Sequence, residues 1–479
     1  LKDGVCEQRE LLLDTVNRMT HYDVIVIGSG GGMKIALAAA SMGRKTAFIE
    51  QGAVGGTCLN RGCIPSKMLI YPTHLPRLIR EGSKINVTSD SIARIEFAAL
   101  IKRITEAVNG MSARQRSVIE GTANLDFYAV HAEFVSDRTI RAGEDELEAE
   151  RIFIATGARP HVPDIPGLAG TPFMTSTEAL ARTDLPEHLL VIGGGYIAVE
   201  LGGAYAGAGA NVTFLVRSRF LRHEDQEVAE AFSADFICGH SVYTGVVPIR
   251  VDFDTGLFSV TCRGAADEQK VFTGDALLVA TGVVPSTDDL GLQNTGVETD
   301  KNGFIHVDNR LRTSVEGVYA LGDCVGNHLY RHTANYEAEY LVRTVFQDSA
   351  EGPIEYGPVP HAVFSVPEIA GVGMTEEQAA EQGRDYVVGR ATYADSNAGL
   401  ARGYDVGFAK LLVERPTRKI LGAHILGDEA SDMIHVFIAM MKKEGTLDDL
   451  LDMIFIHPSL PEIARDAARD AQRSLMATS

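Results

Sequence analysis

Two stretches of the chain share one hydrophobic pattern. In the first, Val24-Ile25-Val26-Ile27 is an unbroken run of β-formers, as expected of a strand buried on both faces of a parallel sheet. It leads into Gly28-Ser29-Gly30-Gly31-Gly32, an alanine-rich helix to Gly43 and a second strand ending at Glu50. In the second, Leu189-Leu190-Val191-Ile192 leads into Gly193-Gly194-Gly195-Tyr196-Ile197-Ala198, a helix to about Ala208 and a strand from Asn211 to Val216. One glycine-rich turn is weak evidence of anything. Two, 165 residues apart, each after a strand and before a helix, predict two dinucleotide-binding domains.

The details of the two turns differ. Gly193, Gly195 and Ala198 fit G-x-G-x-x-G/A, whereas Met33 stands at the third small position of the first turn. Glu50 follows Gly28 by 22 residues, a spacing suited to a carboxylate that holds a ribose. The amides at each helix start are expected to hold a pyrophosphate. Two further strands end in Ala155-Thr156-Gly157 and Ala280-Thr281-Gly282, and another in Tyr319-Ala320-Leu321-Gly322-Asp323. An Asp after a strand and a Gly accepts from a sugar hydroxyl or caps the next helix. From about Gly352 the texture changes. A proline-rich stretch leads into strands near Val406 to Val413 and Leu421 to Leu426, then helices from about Ser431, Thr446 and Pro461. This predicts a separate α+β domain.

Composition narrows the partners. The 479 residues carry a net charge of −20, with 64 acidic residues against 12 Lys and 32 Arg, which argues against nucleic acid. No apolar run is long enough to span a membrane. The six cysteines (Cys6, Cys58, Cys63, Cys238, Cys262 and Cys324) are dispersed. They are expected to be one working pair and four plain thiols in a reducing cytoplasm. No metal-ligand spacing is present. Leu1 to Arg18 mix charges before Met19-Thr20-His21, so residues 1–18 are expected to be a disordered extension.

The strongest chemical signal is Gly55-Gly56-Thr57-Cys58-Leu59-Asn60-Arg61-Gly62-Cys63-Ile64-Pro65-Ser66-Lys67, directly after the first nucleotide unit. Pro65 fits the first turn of a helix. Thiols at a helix start sit near the positive end of its dipole, which favours thiolate. The spacing makes Cys58 and Cys63 one redox pair, and a dithiol beside a nucleotide fold suits electron exchange with a flavin.

These motifs, with the His457-Pro458 near the C-terminus and in this order, resemble the class I flavoprotein disulfide reductases, the family of dihydrolipoyl dehydrogenase, glutathione reductase and mycothione reductase. The resemblance runs from about Tyr22 to Ala468. It implies an α/β fold with two Rossmann-like domains, for FAD and NAD(P), and a C-terminal α+β dimerisation domain. Residues 19–166 and 285–351 would form the FAD domain, 167–284 the NAD(P) domain and 352–479 the dimer interface. FAD would be held by Gly28, Gly30, Glu50, Lys67, Thr156, Gly157, Gly322, Asp323 and Ala334. The nicotinamide nucleotide would be held by Gly193, Gly195, Tyr196, Ala198, Arg217, Arg219, Arg222 and Gly282. By the same resemblance Cys63 is the thiol next to the flavin and Cys58 the more exposed thiol that attacks substrate. Lys67 lies beside the flavin and pairs with Glu200. His457 is the base and Glu462 its partner, reaching the dithiol of the opposite subunit, so a homodimer with shared active sites is implied. His361 and His424 are expected to have no chemistry. His332 resembles a flavin-flanking position.

The choice of nicotinamide and disulfide is less direct. Val216 ends the second strand of the NAD(P) unit where a carboxylate would favour NAD, and Arg217, Arg219 and Arg222 follow. Guanidinium groups suit a 2′-phosphate. This favours an NADPH-dependent reductase of a low-molecular-weight disulfide, similar to the glutathione and mycothione reductases. The alternative is a dihydrolipoyl dehydrogenase using NAD and serving a 2-oxoacid dehydrogenase complex, because the wording of Cys58-Leu59-Asn60 is closest to that branch. A flavin-binding subunit without turnover is a distant third reading. Mercuric reductase and high-molecular-weight thioredoxin reductase are disfavoured, since the last cysteine is Cys324.

Overall fold

The run Val24–Ile27 is the centre of a parallel sheet, with every residue buried. The computed structural model describes residues 19–88, 91, 93–347, 349 and 352–477; the predicted extension 1–18 lies outside these. The chain divides into two compact units. The first gathers residues up to Asn60, Gly110–Arg159 and Val284–Ile354. Its sheet runs in the order Leu125–Tyr128, Thr46–Ile49, Met19–Ile27, Asp145–Ile154, Thr139–Ala142, Ala132–Ser136, and Val318–Ala320 also pairs with Asp145–Ile154. The strands that carry the glycine turn, Glu50, Thr156-Gly157 and Gly322-Asp323 are all parallel. All four loops therefore emerge at one edge of the sheet, where such folds bind their ligands.

That edge depends on an approach of backbone to backbone. Gly28 has φ +98°, and a Cβ there would collide with the Ala155 carbonyl. Only glycine meets both demands. The helix Gly32–Ser41 then packs onto the sheet through Gly32, where a Cβ would lie 2.7 Å from Val26 Cγ1. Met33 is only half-buried. The close packing expected of the third small residue is thus supplied one position earlier.

The second unit gathers Arg61–Asn109, Pro160–Val283 and the residues from Glu355 onward. It repeats the device: Gly193 has φ +136°, and a Cβ there would strike the Ala280 carbonyl. Its parallel sheet runs Ser241–Thr244, Asn211–Val216, His188–Ile192, Ala276–Val279. A three-stranded antiparallel sheet, Val247–Asp254, Leu257–Arg263 and Gln269–Gly274, adjoins it in sequence. The C-terminal sheet is antiparallel, in the order Pro360–Val363, Ile369–Gly373, Ile420–Leu426, Phe408–Glu414, Tyr386–Thr392. The helix Glu462–Ala477 lies on it through small residues; a Cβ on Gly389 would meet the Ala467 carbonyl. The fold is therefore α/β with two Rossmann-like sheets and an α+β C-terminal domain.

Two helices of this unit matter for the site. Cys63–Glu81 packs against Tyr196–Ala208 so closely that a Cβ on Gly207 would sit 2.5 Å from the Thr73 carbonyl oxygen. Replacing a helical glycine by alanine ordinarily gains about 1 kcal/mol, whereas forcing a methyl against fixed backbone costs about 1–3 kcal/mol. Gly207→Ala is therefore expected to destabilise the protein, by up to about 2 kcal/mol. A denaturation midpoint equal to or above that of the wild type would contradict this.

Candidate active site

In the first unit the glycine turn is tied to the segment that carries the dithiol. Ser29 is fully buried. Its amide and hydroxyl both donate to Glu50 Oε2, at 2.9 and 2.6 Å. Its Oγ accepts from the amides of Gly55 and Gly56, at 2.9 and 3.1 Å. Glu50 Oε1 accepts from Gly52 N at 2.7 Å. Asn60 Nδ2 then donates to the carbonyls of Val54 and Gly56, which stiffens the helix Gly56–Arg61.

Of the other residues expected at FAD, those of the first unit (Thr156, Gly157, Gly322, Asp323 and Ala334) share this edge, whereas Lys67 belongs to the second unit. Ala334 packs against the turn: a Cβ on Gly31 would lie 3.2 Å from its carbonyl oxygen, and a Cβ on Gly322 3.2 Å from its side chain. Gly322 N donates to the buried carboxylate of Glu337 at 2.6 Å. Burial raises the Asp323 carboxyl above the usual carboxylate range, with Arg331 opposing. The unit fits a bound FAD on two counts. The backbones of Gly56 and Gly30 form a cradle that a Cβ would fill, at 2.8 Å. In addition, Asn335 Oδ1 and Gln115 Oε1 are buried polar atoms with no hydrogen-bond partner in the protein, which a polar ligand would satisfy.

In the second unit Gly193-Gly195, Val216-Arg217 and Gly282 share the C-terminal edge of the parallel sheet. Ala198 is buried, and Tyr196 at the helix start is exposed. A Cβ on Gly195 would meet nothing within 4 Å, so there is open space beside the start of the helix Tyr196–Ala208. Arg217 and Arg222 are exposed, and Arg219 Nη2 donates to the Arg222 carbonyl at 3.2 Å.

Lys67 lies in the helix Cys63–Glu81, and its Nζ is 2.8 Å from Glu200 Oε2. The second oxygen of Glu200 accepts from Phe364 N at 3.0 Å, and the Lys67 ammonium stands 4.5 Å from the centre of the Phe364 ring. Burial pushes the Glu200 carboxyl up, against the opposing pull of Lys67 and the Phe364 amide. Phe364 thus holds both members of the pair, the acid through its backbone and the base through its ring. His457 Nδ1 lies 3.1 Å from each oxygen of Glu462. Glu462 is the first residue of its helix and also takes Ser459 N and Arg465 Nη2, at 3.0 and 2.9 Å. Burial works against its charge, but the Ser459 amide, His457 and Arg465 outweigh it and hold this carboxyl below its usual range.

Cys58 belongs to the first unit, within the helix Gly56–Arg61; Cys63 belongs to the second and is the first residue of the helix Cys63–Glu81. In the single protomer Cys63 is exposed and Cys58 half-buried. Cys63 stands at a helix start, where the first-turn side chain has no preceding turn over it. Ser29, Gly32, Asn335, Phe364 and Arg465 were not singled out from sequence. Ser29 and Phe364 act through residues distant in the chain, Arg465 through Glu462 three residues before it, and no short motif marks any of the five.

The signature of the pyridine nucleotide-disulphide oxidoreductases matches residues 22–339, and that of their dimerisation domain matches residues 359–468. The chain belongs to the pyridine nucleotide-disulphide oxidoreductase family. It is 35% identical over 469 residues to a dihydrolipoyl dehydrogenase of Chlorobaculum parvum, covering 95% of this chain and 97% of the relative. It is 33% identical over 469 residues to a mycothione reductase of Mycobacterium tuberculosis, covering 94% and 99%. Among solved structures, the HOCl-induced flavoprotein disulfide reductase RclA from Escherichia coli, as its Cu(II) complex, superposes with a TM-score of 0.84 at 30% identity, covering 94% and 99%. The protein is therefore an enzyme, a disulfide oxidoreductase of a family that uses FAD and NAD(P)H. Its dimerisation domain supports a homodimer. Among the described residues no helix is long and apolar enough to cross a membrane, and no cluster of metal-ligating side chains is present.

The enzyme's first turn can be tested without an assay. Ser29→Ala leaves the buried Gly55 amide and the partly buried Gly56 amide without their acceptor and removes one donor from Glu50, at about 1–3 kcal/mol for a buried group. The variant is expected to lose stability by at least about 2 kcal/mol and to release flavin at lower temperature. Unchanged melting and flavin release would refute this role for the hydroxyl.

Proposed function

We propose that the enzyme is an NADPH-dependent reductase of a low-molecular-weight disulfide, similar to the glutathione and mycothione reductases, with Cys58 and Cys63 as its redox-active pair. One observation carries the reading. The strand Asn211–Val216 ends on a buried valine, without the carboxylate that would bind ribose hydroxyls, and the arginines 217, 219 and 222 follow it. FAD would be held by Gly28, Gly30, Glu50, Thr156, Gly157, Gly322, Asp323 and Ala334, with Lys67 beside its ring. The nicotinamide nucleotide would be held by Gly193, Gly195, Tyr196, Ala198, Gly282 and the three arginines. In domain terms, residues 19–166 and 285–351 serve FAD, 167–284 serve NAD(P), and 352–479 serve the dimer interface.

FAD held by these residues would supply the route for the electron pair from the reduced nicotinamide to the disulfide of Cys58 and Cys63. The Cys58 thiolate attacks one sulfur of the substrate disulfide, releases the first thiol and keeps the second in a mixed disulfide. The Cys63 thiolate attacks Cys58 Sγ, expels the second half of the substrate as a thiolate that takes its proton from water, and closes the bond between the two cysteines. His457 takes the Cys58 proton and returns it to the first leaving thiolate. The contact with Glu462 supports this role, since a carboxylate on Nδ1 leaves Nε2 as the basic nitrogen. In a homodimer His457 serves the dithiol of the opposite subunit. The neighbouring Ile454 and Ile456 are 98% and 80% exposed in the protomer, as apolar residues awaiting cover are. The dispersed cysteines suit a reducing cytoplasm.

A second reading, dihydrolipoyl dehydrogenase acting with NAD in a 2-oxoacid dehydrogenase complex, is favoured by the wording of the dithiol segment and by the relative of that name from Chlorobaculum parvum. A steady-state panel separates the two. NADPH with a small thiol disulfide is expected to exceed dihydrolipoamide with NAD in kcat/KM by at least about tenfold; the opposite order would overturn the reading. His457→Ala is expected to lower kcat by about 10²–10⁴-fold while anaerobic NADPH still liberates the thiols of Cys58 and Cys63. Full turnover in that variant would remove His457 from the mechanism.

A further inference from the structure

The loop between Val216 and the helix Gln226–Gly239 carries the three arginines at one end and two carboxylates, Glu224 and Asp225, at the other. Every part of it that is not exposed is tethered. Phe220 and Leu221 are buried. Leu221 adopts φ +47°, an uncommon conformation for a leucine, and its amide donates to the carbonyl of Gly194 in the nucleotide turn at 2.8 Å. The arginines are thereby held at a set position relative to the glycines that would cradle the pyrophosphate.

The two carboxylates are taken up by the C-terminal sheet. His361 Nε2 donates to Glu224 Oε2 at 2.7 Å. Asp225 is fully buried and binds Lys410 Nζ, itself 1% exposed, at 2.9 and 3.1 Å. The helix starts cap each other: Glu376 N donates to Asp225 Oδ2 at 3.0 Å, and Gln226 N donates to Glu377 Oε1 at 3.1 Å. Lys410 also meets Glu376 and Glu227, and Arg390 closes the group on Glu227. Burial works against the Asp225 charge, yet Lys410 and the Glu376 amide hold this carboxyl below its usual range.

The consequence is electrostatic. Glu224 lies two residues after Arg222. On a slack loop its carboxylate would pair with Arg222 or Arg219 and compete with a phosphate for them. We propose that His361 is a positioning residue for NADPH, holding Glu224 against the C-terminal sheet so that Arg219 and Arg222 stay available to the 2′-phosphate. This deepens the NADPH reading and rests on it. Asp225 and Lys410 fix the base of the loop, and His361 holds the carboxylate that lies two residues from Arg222.

The test compares the wild-type holoenzyme with His361→Ala, His361→Ala/Glu224→Gln and Arg217→Glu. In His361→Ala the KM for NADPH is expected to rise about fivefold, with kcat and the KM for NADH nearly unchanged. Calorimetry is expected to show adenosine 2′,5′-bisphosphate binding weakened about fivefold and adenosine 5′-monophosphate unaffected. The double variant removes the released charge and is expected to restore both quantities, which a merely structural role for His361 would not do. An equal rise for NADPH and NADH, an unchanged KM, or a double variant no better than the single one overturns the proposal. If Arg217→Glu leaves the ratio of the two specificities unchanged, the NADPH reading fails and the proposal with it. If that ratio shifts while His361→Ala has no effect, the role of His361 alone fails.

Discussion

The architecture depends on two places where one backbone touches another. Gly28 lies against the Ala155 carbonyl and Gly193 against that of Ala280, each with φ in the left-handed range. A side chain at either point would push the nucleotide turn away from the strand end beside it. The helix starts, the Thr156-Gly157 and Gly282 corners and, in the first unit, Gly322-Asp323 would then no longer share an edge. The duplicated hydrophobic strands serve to bring these contacts about. Their burial supplies the driving force, and the glycines set how closely the burial is allowed to proceed.

A similar constraint governs the charged pair of the second unit. The helices Cys63–Glu81 and Tyr196–Ala208 approach to backbone contact at Thr73 and Gly207. Lys67 and Glu200 sit on these same two helices, so the closeness of the helices brings ammonium and carboxylate to 2.8 Å. A carboxylate this buried is costly unless it is paired and hydrogen-bonded, and the Phe364 amide completes its shell. The chemistry expected of Lys67 and the packing at Gly207 are thus one structural fact seen at two points of the helix pair.

The sequence was most readable where a function needs neighbours in the chain. The two glycine turns, Cys58 and Cys63, His457 with Glu462, and the strand ending at Val216 are all local patterns. Their physical basis, a tight turn, a helix start, an i to i+5 contact, lies within a few residues. It was least readable where the partner comes from elsewhere. Met33 looked like a defect in the first turn until Gly32 was seen to make the close approach to Val26. Glu50 had the spacing for a ribose, but nothing in the spacing revealed that Ser29 would tie it to the segment leading to Cys58.

By itself the sequence determined the class of fold, the placing of His457 beside Glu462 near the C-terminus, and the basic character of the loop after Val216. These follow from periodicity, turn chemistry and charge, which are properties of contiguous residues. The tertiary structure alone decided that Phe364 holds Lys67 and Glu200, and that His361 and Lys410 take up the carboxylates behind the arginines. Those pairings join residues 137 to 297 positions apart. Only packing of the sheets and helices brings such residues within hydrogen-bonding distance, because the pairing energy of exposed polar groups in an open chain is too small to find them.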